Sequence, residues 1–189
     1  MHCTLKGKNM NECFISVDIE TTGPTPGKYS MHELGACVIG EEHLQFNARL
    51  TLLPDASYDE AALSAVGIDD IRKIEFRKAT DPREALHHFA TWVKKVTQKN
   101  ATPVFVANNA PFDWMFVAWY FTQFGVTNPF GHSALDMKAY FMGLVNCSWK
   151  ESTLKRMAKY AGIRFTTLPH RAVDDAIIQS QIFSALLTR

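Results

Sequence analysis

A chain of 189 residues and 21.3 kDa has room for one domain with a hydrophobic core and little beyond it, which excludes a solenoid array within the chain. Hydrophobic residues make up 47% and charged residues 21%, a balance that excludes a disordered tail, and the most apolar run, Met115 to Phe121, is too short to span a bilayer. The formal charge of +1 hides an uneven distribution: residues 1–60 hold nine acidic and four basic groups, the remainder ten acidic and sixteen basic. That asymmetry suits an acidic metal-binding cluster beside a surface that receives an anionic polymer, and it suits an ordinary solvated surface equally.

The first fourteen residues lack the apolar stretch of a secretory signal, so a cytoplasmic location with no membrane partner is expected. Cys3, Cys13, Cys37 and Cys147 show no paired spacing and are expected to be reduced thiols. Cys13 to Asp18 is apolar and β-prone; after a Gly/Pro loop, Glu33 to Gly40 reads as a second strand, and His43 to Leu52 alternates like a third with one solvated face. Tyr58 to Val66 suggests a short helix stopped by Gly67. Asp81 reads as an N-cap before Pro82, opening a helix to about Gln98 with Leu86, Phe89, Ala90, Val93 and Val96 on one stripe. A strand at Thr102 to Ala107 and an aromatic helix from Pro111 to Phe124 follow. Ala134 to Met137 reads as a short strand feeding a helix toward Leu144, and further helices are expected at Thr153 to Tyr160 and Arg171 to Leu187. Early strands followed by alternating helices and strands predict an α/β fold, a mixed sheet covered by helices.

Three segments carry chemistry. Asp18 and Glu20 lie two apart at the end of the first strand and so share a face; like charges held close need a cation between them or must take up protons. D-x-E is also a common chance triplet at a strand end. Asp113, in NNAPFD, falls in the first turn of a helix after a buried strand, where it faces the crevice at the strand's carboxyl end or merely complements the helix dipole. Asn108 and Asn109 are expected to cap or tie down that turn. His170 precedes the last helix, with Asp174 and Asp175 in its opening turns; these read either as site residues or as a capped helix start with two solvated acids.

Together the segments resemble the DEDD superfamily of 3'-5' exonucleases in its histidine-containing branch, which includes proofreading exonuclease subunits, oligoribonucleases and transfer-RNA-trimming nucleases. The matching residues are DIETTG with Asp18 and Glu20, NAPFD with Asp113, and H-x4-D with His170 and Asp175; Asp136 in SALDM and LKRMAKYAGI at Leu154 to Ile163 are also in keeping. The resemblance runs from about Ile15 to Leu187. Many relatives carry V-H-G-I after the third strand, where this chain has Ala65, Val66, Gly67 and Ile68, and Asn108 stands where several proofreading relatives have histidine.

The resemblance implies a ribonuclease H-like fold with a mixed five-stranded sheet, and a metal-dependent 3'-5' exonuclease that cuts single-stranded DNA or RNA to nucleoside 5'-monophosphates. It implies two Mg²⁺ or Mn²⁺ ions, one held by Asp18, Glu20 and Asp175 and one by Asp18 and Asp113, with His170 as general base. Thr21, Thr22, Gly23, Asn109, Phe112 and Arg171 are the expected substrate contacts, and the expected partner is a single strand with a free 3' end. Lys150, Lys155, Arg156, Lys159 and Arg164 are further candidates for phosphate contact or solvated surface. The aromatic series on the Pro111 to Phe124 helix is mostly core, with Phe112 and Trp114 candidates for guiding the strand and the rest compatible with a homodimer face. A polymerase or repair partner also fits, and the alternative reading is a nucleic-acid-binding module that keeps the fold without turnover.

Overall fold

The computed structural model describes residues 11–65 and 78–189. Five strands form one sheet in the order β3-β2-β1-β4-β5. Strands β1 (Glu12–Thr21), β2 (Met31–Val38) and β3 (Glu41–Arg49) make an antiparallel meander, and β4 (Thr102–Ala107) and β5 (Ala134–Asp136) run parallel to β1. The helices are α1 (Glu60–Ala65), α2 (Pro82–Val96), α3 (Ala110–Gln123), α4 (Met137–Val145), α5 (Leu154–Ala161) and α6 (Ala172–Leu187), with a 3-10 turn at Trp149–Glu151 that the sequence had not suggested. Val66, Gly67 and Ile68, aligned with the family's V-H-G-I segment, lie outside the described residues.

Strand parity divides the core. Ile15, Val17 and Ile19 join Phe105 and Ala107 on the face covered by α2 and α3, while Phe14 and Val106 join Met137, Phe141, Met157, Phe183 and Leu186 on the face covered by α4, α5 and α6. Because β1 and β2 are covered on both faces they are buried along most or all of their length, whereas edge strand β3 alternates. Asp18 and Glu20 have the parity of Phe14, so both look toward α6.

That helix lies across β1 and β2 at very close range. Gly35 is paired with Asp18, and a Cβ built on it would stand 2.1 Å from the Val173 backbone nitrogen and 2.2 Å from the Ala172 carbonyl carbon. Glycine is thus the residue that lets the start of α6 rest on the sheet. Two residues on, Cys37 Sγ donates to the Ala176 carbonyl over 3.5 Å, and burial pushes its thiol up to about 12. Among the described residues Cys13, Cys37 and Cys147 form no disulfide, in keeping with reduced thiols, and Cys3 lies outside them.

Asp81 caps α2 as expected, accepting from the Arg83 and Glu84 amides at 2.9 and 3.4 Å with Pro82 in the first turn. The expected capping by Asn109 is not what holds α3. Asn109 takes a left-handed conformation (φ 67°) in which its side chain makes no cap hydrogen bond. Asp136 does that work from the end of β5: its Oδ2 accepts from the Ala110 amide at 2.6 Å, while its Oδ1 accepts from Ala139 at 2.7 Å and caps α4. Trp114, a candidate for guiding the strand, packs edge-on against Phe105 with ring centroids 5.1 Å apart, so it is a packing group on β4. Among the described residues no helix is long and apolar enough to cross a membrane.

Candidate active site

The crevice lies where β1 ends, β4 turns into α3 and α6 begins. Asp18 and Glu20 come from β1, Asp113 from the first turn of α3, and His170 and Asp175 from the start of α6. Asp113 and Asp175 are buried; Asp18 and Glu20 are partly exposed at the crevice floor. One ligand atom from each of Glu20, His170 and Asp175 lies within 4.8 Å of the other two. His170 is exposed and holds the left-handed conformation (φ 55°) that non-glycine residues seldom adopt, a strain found where surrounding structure fixes a residue for function.

The electrostatics follow from the crowding. Burial lifts the Asp18 carboxyl well above the usual range, and the neighbouring charges of Asp113, Glu20 and Asp175 lift it further. Asp113 is also raised by burial, against backbone hydrogen bonds at Asp113 and Ile19 that favour its charge. Burial together with Asp175 and Glu33 pushes Glu20 up to about 8, and burial pushes Asp175 up to about 7 despite a backbone hydrogen bond from His170. Asp175 Oδ1 is buried with no hydrogen-bond partner among the described residues. An orphaned carboxylate oxygen inside a crowd of hard oxygen donors fits a divalent cation such as Mg²⁺ or Mn²⁺.

A cation entering this cluster must displace the protons that crowding keeps there. Calorimetric titration with Mn²⁺ at pH 7 is expected to give heats that change with the ionisation enthalpy of the buffer, and affinity is expected to rise between pH 6 and 8. The same shifts act on the metal-free fold: carboxyls raised above their unfolded values lose protons more easily on unfolding. Its stability therefore falls as pH climbs from the usual carboxylate range through about 7 for Asp175 and about 8 for Glu20. Heats independent of buffer would contradict a protonated cluster.

The adjacent acids of α6 separate as the helix register requires. Asp175 turns into the crevice, whereas Asp174 Oδ2 pairs with Arg171 at 3.1 Å in partly exposed surroundings. The other expected substrate residues differ in freedom. Thr21 Oγ1 donates to the Gly23 carbonyl at 2.9 Å. Thr22 is buried, its hydroxyl donating to the Ser57 carbonyl and accepting from the Ser30 amide, both at 2.9 Å, so that group serves the loop. Gly23 is pressed against Tyr29, whose ring would meet an added Cβ at 2.2 Å. Phe112 is partly buried against Phe116, with ring centroids 5.4 Å apart, and Asn109 is exposed. Lys155, Arg156, Lys159 and Arg164 line a groove of about 460 Å³ along α5.

Two residues of the crevice were not among the expected ones. Glu33, 7% exposed, stands opposite Glu20 in the β1–β2 register and adds to the local negative potential. Gln179, 2% exposed, donates from Nε2 to Asp18 Oδ1 at 2.6 Å and accepts at Oε1 from the Asn108 amide at 2.8 Å. Its signal in the sequence is a polar residue on the buried stripe of α6, one turn beyond Asp175.

A mixed sheet with acids gathered at the β1 end, a first-turn acid on α3 and a histidine before α6 is the arrangement of the histidine-containing DEDD nucleases, and the exonuclease (RNase_T) family profile matches residues 15–183; the chain belongs to that family and is a 3'-5' exonuclease. The chain is 38% identical over 172 residues to the 3'-5' DNA exonuclease Cap18 of Escherichia coli, covering 91% of this chain and 90% of that protein. Among solved structures, the nuclease domain of 3'hExo, a DEDDh family member bound to rAMP, superposes with a TM-score of 0.74 at 14% identity, covering 96% of this chain and 94% of that one. The Mg²⁺ and Mn²⁺ bound form of S. pombe Pop2p superposes with a TM-score of 0.64 at 16% identity, over 93% of this chain and 83% of that one.

Proposed function

We propose that this exonuclease is metal-dependent and removes nucleoside 5'-monophosphates from the 3' end of single-stranded DNA. The observation that carries the reading is the convergence of four carboxylates, each raised by its neighbours or by burial, with His170 at the edge. DNA is favoured because the 38% identical relative acts on it.

Asp18, Glu20 and Asp175 would hold one divalent ion, and Asp18 with Asp113 a second. Two such ions would supply the positive charge that an in-line displacement at phosphorus needs. The exposed His170 imidazole takes a proton from the attacking water as its oxygen bonds to phosphorus. The bond from phosphorus to the 3'-oxygen of the preceding nucleotide breaks, that oxygen acquires a proton, and the products are a 5'-monophosphate and a strand one residue shorter. The groove along α5 presents cations to the phosphates of the strand.

The test is a product time course with matched 5'-labelled DNA and RNA oligomers of graded length, in Mg²⁺ and in Mn²⁺. Stepwise shortening with 5'-monophosphate release is expected, faster on DNA; internal cuts or 3'-monophosphates would overturn the reading. At saturating Mg²⁺, Asp175→Asn is expected to lower cleavage by about 100-fold or more, because the buried ligand loses its charge. Asp174→Asn should leave most activity, since an exposed i, i+3 ion pair is worth only about 0.2–0.5 kcal/mol. Equal inactivation of the two folded variants would redraw the third motif.

A further inference from the structure

The H-x4-D motif ends at Asp175, yet α6 sends a second side chain into the crevice. Asp175 and Gln179 are one helical turn apart on the same face, and Gln179 is enclosed by protein. Its carboxamide makes two short hydrogen bonds in opposite senses, donating to Asp18 and accepting from the Asn108 backbone amide. The orientation of the amide is dictated by its partners, because the reverse would set its oxygen against a carboxylate and its N–H against another N–H. An ionised glutamate here cannot donate to Asp18, and a lysine cannot accept from Asn108. Asparagine would be one methylene shorter.

Each bond reaches a different motif. The Asp18 bond engages Oδ1 and fixes the plane of the carboxylate that both proposed ions would share. The Asn108 bond holds the last residue before the left-handed Asn109, whose backbone leads directly into the first turn of α3 and Asp113. One side chain of the third motif's helix thereby ties the first motif to the second.

Resting on the two-ion reading of the site, we propose that Gln179 is the positioning residue of the catalytic cluster: its carboxamide sets the Asp18 carboxylate and, through Asn108, the turn that carries Asp113, in the mutual orientation that cation binding and turnover require. Gln179 touches neither water nor phosphate in this role. Partners that orient metal-binding side chains typically change metal affinity or activity by about 10–100-fold when removed.

Gln179→Met keeps the length of the side chain and removes the amide, while Gln179→Glu keeps the acceptor for Asn108 and removes the donor to Asp18. Three measurements apply to each variant and the parent: melting temperature in chelator, Mn²⁺ affinity by calorimetry without substrate, and kcat and KM on single-stranded DNA at saturating Mg²⁺. Q179M is expected to fold, to bind Mn²⁺ about tenfold or more weakly, and to lose about 10–100-fold in kcat with KM changed less than about threefold. Q179E is expected to show a similar loss in kcat. A lowered melting temperature with Mn²⁺ affinity and kcat per folded molecule unchanged would make the residue merely structural and overturn the proposal. So would a kcat for Q179E within about threefold of the parent, and Q179E alone decides the matter if Q179M does not fold. Failure of the parent to cleave DNA, with Mn²⁺ affinity still dependent on residue 179, would overturn the proposed substrate and leave the positioning role standing.

Discussion

Asp18→Asn is expected to reduce turnover by about 100-fold or more in a protein that remains folded. The substitution preserves shape, and the asparagine oxygen can still accept from Gln179 Nε2, so the local hydrogen bond survives while the charge shared by both proposed ions is lost. Stability is expected to move the other way. Asp18 sits at the crevice floor crowded by Asp113, Glu20 and Asp175, and its folded value lies above its unfolded one, so at pH 8 its ionisation opposes folding in the metal-free protein. Removing that charge should raise the melting temperature in chelator at pH 8. A variant that keeps more than a tenth of the parent rate would show that Asp18 does not bridge two ions.

Gly35→Ala is expected to be nearly as damaging although residue 35 bears no functional group. The added carbon would meet backbone atoms of Val173 and Ala172 at 2.1 and 2.2 Å, and backbone in a packed helix cannot swing aside as a side chain can. The start of α6 must therefore rise from the sheet and carry Asp175 and Gln179 away from Asp18. Overpacking of this kind typically destabilises by about 1–3 kcal/mol, whereas displacing catalytic groups by about 1 Å can cost on the order of 10²-fold in rate. Activity per folded molecule should thus fall far more than the melting temperature implies. Gly143→Ala is the control: among the described residues nothing lies within 4 Å of its added carbon, and the site in α4 should tolerate alanine with full activity. Normal rates in folded G35A would mean that α6 can shift without opening the crevice.

The sequence expressed the fold where one periodicity or one local cap decided it. Strand β4 falls on the expected residues and α2 begins at its expected cap, because a short β-branched run and an Asp-Pro start need no distant partner. The five proposed ligand and base residues were picked out through motif order, and the fold brings their side chains to one crevice. Those parts of the site that were not legible depend on long-range contacts. Asn109 had the composition of a cap, but its left-handed backbone turned the side chain away and left the task to Asp136, 26 residues from Ala110. Gln179 reaches Asp18 across 161 residues of chain, and nothing in β1 announces that bond. Trp114 lies next to Asp113 in sequence, yet its partly exposed ring packs edge-on against Phe105 of β4.

Asp136 has a consequence for how nucleases of this kind are sorted by their sequences. A single carboxylate anchors the first peptide of α3 and the third of α4, so the helix that presents Asp113 and its neighbour share one fastening. Silent descendants of such an enzyme need not have lost any of the four acids or the histidine proposed for the site; a change at residue 136 alone would remove the bonds that fasten both helices while those five residues stay in place. Inspection of ligand residues would then count an inert chain among the active ones.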